Sequence, residues 1–149
     1  MILSKSQERS RFIRFAIVGF IGAIVDFGLF NLLIRLAGVA AIVASAISFI
    51  AAVVSNFLWN RYWTYPDSRS KHILHQLTQF GLVSLVGLGI RLGLFAILET
   101  PLISMASRYF PNFLDPAFIG HNATLAISIL IVMLWNFFAN RFWTYSDIE

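Results

Sequence analysis

Two decapeptides carry most of the polar chemistry available to this chain. Asn56 to Tyr65 reads Asn-Phe-Leu-Trp-Asn-Arg-Tyr-Trp-Thr-Tyr, and Asn136 to Tyr145 reads Asn-Phe-Phe-Ala-Asn-Arg-Phe-Trp-Thr-Tyr, identical at seven of ten positions. Asn56 and Asn60, like Asn136 and Asn140, stand four residues apart and share one helix face, directly ahead of Arg61 or Arg141. Carboxamides beside a guanidinium suit hydrogen bonding to a phosphate or to the hydroxyls of a sugar. An Asn in hydrocarbon also serves simply to join helices, and Arg61 and Arg141 taken alone are equally positive-inside anchors. Four amides placed symmetrically, each pair adjoining an Arg, make the case for a ring of donors and cations at one membrane face. Trp63, Tyr65, Trp143 and Tyr145 read as an interfacial aromatic belt, with stacking on a sugar as the alternative.

The second constellation is Asp26 with Arg91, each in the middle of a long apolar run. An ionisable group at the bilayer centre costs about 2.5 to 3.5 kcal/mol on insertion scales, so each needs a partner or a wet cavity. An internal repeat supplies the partner. At an offset of 65, Phe15 falls on Phe80, Val18 on Val83, Gly22 on Gly87, Gly28 on Gly93, Phe30 on Phe95, and Asp26 on Arg91. Equivalent positions on helices related by a twofold meet near the axis, and here one copy is acid and the other base. Two readings follow: a buried ion pair that fixes how the halves dock, or a guanidinium that takes an oxyanion in transit with Asp26 as the counter-ion it leaves.

Catalytic apparatus is missing from the pattern. There is no phosphate-binding glycine loop, close acidic pair or nucleophile with a base, so neither an enzyme nor a cofactor is expected. The glycines instead sit at small-residue packing positions. His72 and His75 have i, i+3 spacing but no third ligand near them, which argues for interfacial solvation rather than a metal. The absence of cysteine excludes disulfides and thiol chemistry.

The elements that must position these residues are membrane helices. Of the 149 residues 58% are hydrophobic and 12% charged, and the mean hydropathy is +0.78; so few charges cannot make a water-facing surface. A pI near 10.0 would suggest nucleic acid in a soluble protein, but here the basic residues flank apolar runs. Residues 1 to 14 read as a retained basic lead-in, amphipathic on an anionic leaflet or simply solvated. Spans are expected at about 15–36, 39–59, 77–98 and 118–138, each of about 20 residues and roughly 30 Å long. Ala37-Gly38 is the first turn, and Ser48, Ala52, Asn56 and Asn60 form a stripe on the second span. The fourth span repeats the second at an offset of 80, through Ser48 with Ser128, Asn56 with Asn136 and Asn60 with Asn140. An insertion at about 101–116, holding Pro101, Pro111 and Pro116, accounts for the change of offset and reads as a short interfacial helix and loop.

These spans make one all-α membrane domain over 1–149: four transmembrane helices as two tandem two-helix repeats, about 12–65 and 76–145, in parallel orientation. Lys5, Arg9, Arg11, Arg14, Arg61, Arg69, Lys71 and Arg141 stand on one side against Arg35 and Arg108 on the other, which predicts both termini in the cytoplasm.

Arg14-Phe15-x-x-Val18-Gly19, Asp26-Phe-Gly-Leu-Phe30 and the two Asn-Phe-x-x-Asn-Arg-x-Trp-Thr-Tyr endings resemble the GtrA-like family of small four-span membrane proteins, over nearly the whole chain. The family's usual final aromatic is Phe where this chain has Tyr65 and Tyr145. The resemblance implies a bacterial or archaeal inner-membrane protein of cell-surface polysaccharide synthesis. Its implied activity is flipping a polyprenyl-phosphate-linked monosaccharide such as undecaprenyl-phosphate glucose, beside a polyprenyl-phosphate glycosyltransferase. The family also occurs fused to such transferases, which keeps a non-transporting anchor or partner role open. Four short helices enclose little volume, so a homo-oligomer, a dimer, is expected. A small multidrug exporter is a third reading, opposed by Arg91, whose buried cation would repel cationic drugs.

Overall fold

The computed structural model describes residues 6–64 and 73–139. Four helices follow in order, α1 (Ser6–Ala37), α2 (Ala41–Trp59), α3 (Ile73–Tyr109) and α4 (Pro116–Ala139), with no strand among the described residues. Each contains a stretch long and apolar enough to cross a bilayer, which is the all-α, four-span architecture that the apolar runs demand. With no water in hydrocarbon to satisfy backbone N–H and C=O groups, a helix is the one way such a run crosses alone.

α1 pairs with α2 and α3 with α4, and α2 packs along α3. The first turn is tight: Gly38 takes φ +62°, a left-handed value that costs other L-residues about 1 kcal/mol or more, and Val39 N–H returns to the Leu33 carbonyl at 3.1 Å. Polar contacts fix which helix ends share a side. Arg14 on α1 reaches the Trp63 carbonyl at 3.1 Å, and Arg61 reaches Gln76 at the start of α3. Asn31 near the other end of α1 meets Asn122 in the first turns of α4. The two ends of the bundle are called below the Arg61 end and the Arg35 end.

α2 does not stop at Trp59 but continues as a π-helical turn over Asn60–Thr64, the residues of the first decapeptide. Such turns add a residue to the helical repeat and gather at functional sites. α3 departs from the sequence reading in the other direction. The prolines at 101 and 111 suggest a separate helix in between, yet α3 runs through Pro101 without interruption to Tyr109. Proline removes one backbone donor and a membrane helix tolerates the loss where neighbours pack against it. Here they do, since Ala106 is buried and Ile103 abuts Gly120 of α4. Only at Phe110 does the helix end, in a short turn, and Pro116 then opens α4 with Asp115 Oδ1 accepting the Ala117 N–H at 3.1 Å, proline being preorganised for a first helical position.

An apolar cluster of Phe30, Ala41, Ala44, Phe95 and Leu125 fills the centre toward the Arg35 end. Phe30 and Phe95, which stand 65 apart in the sequence, meet ring to ring at 5.6 Å. On α4, Thr124 and Ser128 turn their hydroxyls back to the Gly120 and Thr124 carbonyls at 2.8 Å each, so that side of the interface buries no unmet donor.

Candidate functional site

Asp26 of α1 and Arg91 of α3 sit side by side in the interior, their side chains 5% and 1% exposed. The contact is bidentate: Arg91 Nη1 donates to Asp26 Oδ2 at 2.5 Å and Nη2 to Oδ1 at 2.7 Å. α2 supplies the remaining partners. Arg91 Nε donates to Ser45 Oγ at 2.7 Å and Nη2 also to Ser48 Oγ at 3.3 Å, while Ser48 Oγ donates to Asp26 Oδ1 at 2.7 Å. Phe49 lies 5.3 Å from the guanidinium carbon to its ring centre. Four of the five guanidinium N–H groups therefore have partners, drawn from two helices, α1 and α2. Asp26 and Arg91, which the repeat matches, are in contact, and Ser45 and Ser48 complete the group.

Toward the Arg61 end the seam continues with amides. Gly22 of α1 lets Asn56 lie against the helix backbone: a Cβ there would fall 2.7 Å from Asn56 Nδ2 and 2.8 Å from its Cγ. The Oδ1 atoms of Asn56, Asn60 and Asn136 and the hydroxyl of Thr64 are buried without a hydrogen-bond partner among the described residues. A buried, unmet acceptor costs about 1 to 3 kcal/mol, so these four oxygens are unmet hydrogen-bonding capacity among the described residues. The ring was expected to suit a phosphate or the hydroxyls of a sugar, and an unmet amide oxygen, being an acceptor, is of the kind that a hydroxyl satisfies.

Arg61 donates to Gln76 and Arg14 stacks 5.8 Å from the Trp63 ring centre while bonding its carbonyl, so two cations from α1 and the π turn stand where the seam meets the membrane surface. Trp59 and Trp63 are edge to face at 6.1 Å, as interfacial aromatics arrange themselves. Tyr65, Asn140, Arg141, Trp143 and Tyr145, the rest of the expected ring and belt, lie outside the described residues, as does His72. No group of three His, Asp or Glu side chains is placed to hold a metal among the described residues.

At the Arg35 end the structure shows polar residues that pattern reasoning passed over. Asn31 and Asn122 exchange reciprocal amide bonds at 2.8 and 2.9 Å, and His121 Nε2 stands 2.9 Å from Glu99 Oε1. Neither Asn has a polar counterpart in the repeat, since Asn31 falls on Ala96 and Asn122 on Ile42; a signal that rests on duplication is blind to them.

Along α2, Ser48 to Asn60 covers 12 residues or about 18 Å, and Asp26 to Asn31 on α1 adds about 7.5 Å. Polar groups thus line most of the roughly 30 Å that separates the two membrane surfaces.

Comparison with known proteins agrees with this architecture. Residues 14–145 match the family described as GtrA/DPMS, transmembrane domain. The chain is 32% identical over 80 residues to a dolichol-phosphate mannosyltransferase of Pyrococcus furiosus, covering 54% of this chain and 22% of that protein. It is 27% identical over 138 residues to the membrane protein YngA of Bacillus subtilis (strain 168), covering 90% of this chain and 78% of the relative. The chain thus spans about a fifth of the mannosyltransferase's length, and no solved structure matches it. Four crossing helices and a match over most of the sequence make this a multi-pass membrane protein that belongs to the GtrA/DPMS transmembrane-domain family.

Proposed function

We propose that this protein moves a polyprenyl-phosphate-linked monosaccharide across the inner membrane, without chemistry of its own. The observation that carries the reading is the polar seam: amide oxygens buried without a partner among the described residues at the Arg61 end, leading to a hydrogen-bonded ion pair at mid-depth. A sugar phosphate dragged through bare hydrocarbon loses all its hydrogen bonds, at several kcal/mol or more, whereas an isoprenoid tail stays in lipid throughout. A one-sided polar groove therefore meets the whole need. Arg14 and Arg61 attract the phosphate at the surface, and the amide oxygens of Asn56, Asn60 and Asn136 accept from sugar hydroxyls. Arg91 takes the phosphate when the oxyanion displaces Asp26 from its guanidinium. The excess of basic residues at the Arg61 end supports a cytoplasmic position for that face and both termini, the lipid-linked sugar coming from a polyprenyl-phosphate glycosyltransferase. Undecaprenyl-phosphate glucose, for cell-surface polysaccharide, is the proposed cargo, and a homodimer the working unit.

The test is reconstitution of pure protein in vesicles with a lipid-linked sugar, following access of the headgroup to an added impermeant enzyme. Asn56→Ala with Asn136→Ala should slow movement about tenfold or more, two lost hydrogen bonds at about 1 kcal/mol each. Gly22→Ala should slow it too by displacing the Asn56 amide, a flexible group that yields without unfolding the bundle. Unchanged rates would remove these residues from the path. Orientation is read separately in this cysteine-free chain: single cysteines at Ser4, Ser68 and Ser146 should label from the cytoplasm, and one at Ser107 from the opposite side.

One observation favours a second reading. The Pyrococcus furiosus relative carries its matching segment within a longer mannosyltransferase, as an anchor or organiser of a transferase would be carried. If purified protein moves no lipid until the transferase is added, the anchoring role takes the place of transport.

A further inference from the structure

A cavity of about 90 Å³ opens at the Arg35 end, between the last turns of α1 and the start of α4, lined by Asn31, Arg35, Asp115, Phe118, His121 and Asn122 among others. It lies beyond the Asp26–Arg91 pair, on the far side from the amides of the Arg61 end. We propose that this cavity is a second sugar-binding station, which accepts the hydroxyl edge of a monosaccharide after the headgroup has passed the ion pair. The inference rests on the transport reading for its place in a sequence of events, but the site is argued from its own walls.

The amides that form its inner end have no donor to spare. Asn31 Nδ2 bonds the Phe27 carbonyl at 2.9 Å and Asn122 Oδ1 at 2.8 Å. Asn122 Nδ2 bonds the Phe118 carbonyl and Asn31 Oδ1, both at 2.9 Å. Each carboxamide has two N–H donors and two lone pairs on its oxygen, so what remains on both is acceptor capacity. Asp115 is an acceptor as well, with Oδ1 taking the Ala117 N–H. His121 faces Glu99 through Nε2 and sets its ring edge-on to Phe30 at 6.4 Å.

A wall rich in acceptors selects a ligand rich in donors. An ionised phosphate is an acceptor only and would meet the Asp115 carboxylate. A simple cation would meet Arg35, whose guanidinium lies 4.3 Å over the Phe118 ring. Hydroxyl groups satisfy both kinds of neighbour, donating to Asn31, Asn122 and Asp115 and accepting from Arg35. The volume has room for a few water molecules, hence for one edge of a sugar ring, and not for an isoprenoid chain.

The absence of cysteine allows a local readout. Ala117→Cys puts one thiol on the cavity wall, and a maleimide applied to full-length protein in sealed vesicles reports its accessibility, with Ser107→Cys as the control thiol. Methyl glucoside, methyl mannoside or a polyprenyl-phosphate glucose should slow labelling at residue 117 about fivefold or more and leave 107 untouched. Inorganic phosphate should protect neither. Adding Arg35→Gln and Asp115→Asn should relieve the protection by about fivefold, the scale of a lost hydrogen bond, while the Asn at 115 keeps an oxygen for the Ala117 N–H. Protection by the free glycosides assigns the site to the sugar alone, and protection by the lipid-linked sugar only assigns it to the membrane-borne headgroup. No protection by any of the three, protection by inorganic phosphate, or protection that survives the double substitution overturns the proposal. Labelling is read without transport, so vesicles that move no lipid yet protect residue 117 would sink the transport reading and leave this site standing.

Discussion

Arg91→Met should destabilise the bundle by about 3 to 5 kcal/mol, the cost of leaving a buried carboxylate without its cation. The remaining partner of Asp26 would be the Ser48 hydroxyl at 2.7 Å, and one neutral donor does not replace a bidentate guanidinium. Asp26→Leu should cost a similar amount by stranding Arg91, whose four bonds would fall to those with Ser45 and Ser48. The informative protein is the double variant Asp26→Leu/Arg91→Met. Replacing a buried pair by apolar residues of similar volume is often neutral or stabilising, so folding should return to near its starting value, measured as the midpoint of unfolding in mixed micelles. Transport in vesicles should not return, because the oxyanion then has no cation at mid-depth. Recovery of both folding and transport would reduce the pair to a docking device. A double variant no more stable than the singles would show that the serines and Phe49, not the charges, hold the helices together.

The second large effect is expected at Gly120→Val. A Cβ at this position would stand 2.7 Å from both the backbone nitrogen and the Cα of Ile103, so relief requires α3 and α4 to separate rather than a side chain to turn. In a bilayer, close backbone approach through small residues is what drives helix association, since lipid offers the same apolar surroundings as a partner helix. Overpacking of this kind costs about 1 to 3 kcal/mol, sometimes more. Gly120→Val should therefore lower the unfolding midpoint clearly and Gly120→Ala to a lesser degree. Gly22→Ala, which meets the end of the Asn56 side chain, should spare the midpoint and affect transport. A Gly120→Val protein as stable as the parent would mean that the α3–α4 contact is looser than these distances state.

The contrast between those two glycines shows what a linear sequence discloses and what it hides. Four spans are legible because long apolar runs have one structural solution in lipid, and their approximate limits follow from length. The Asp26–Arg91 contact is legible because an acid and a base occupy matching places in an internal repeat. Ser45 and Ser48 are not legible as its partners, because a serine on a membrane helix has the same pattern whether it bonds a charge or its own backbone, as Ser128 does. Asn31 and Asn122 come from unmatched positions on helices far apart in the chain, so only three dimensions bring them together. Pro101 misleads for a different reason. It is a strong stop in water, but the decision to continue a helix through it was made by Gly120 and its neighbours on α4. The amides of the Arg61 end are legible as a polar group from their repeated motif, whereas the close fit of Asn56 against Gly22 takes three dimensions to see.

The two halves of the central ion pair are separated by 65 residues of chain, and this has a consequence for biosynthesis. At roughly 5 to 20 residues per second, a ribosome delivers Arg91 about 3 to 13 s after Asp26. Throughout that interval the first hairpin holds an acid whose cation has yet to be translated. Such a hairpin is poorly suited to release into lipid, and is expected to linger in the translocon until the third helix arrives. A truncated chain ending within residues 65–72 should accordingly be retained there or degraded, and co-expression of the missing hairpin should rescue it.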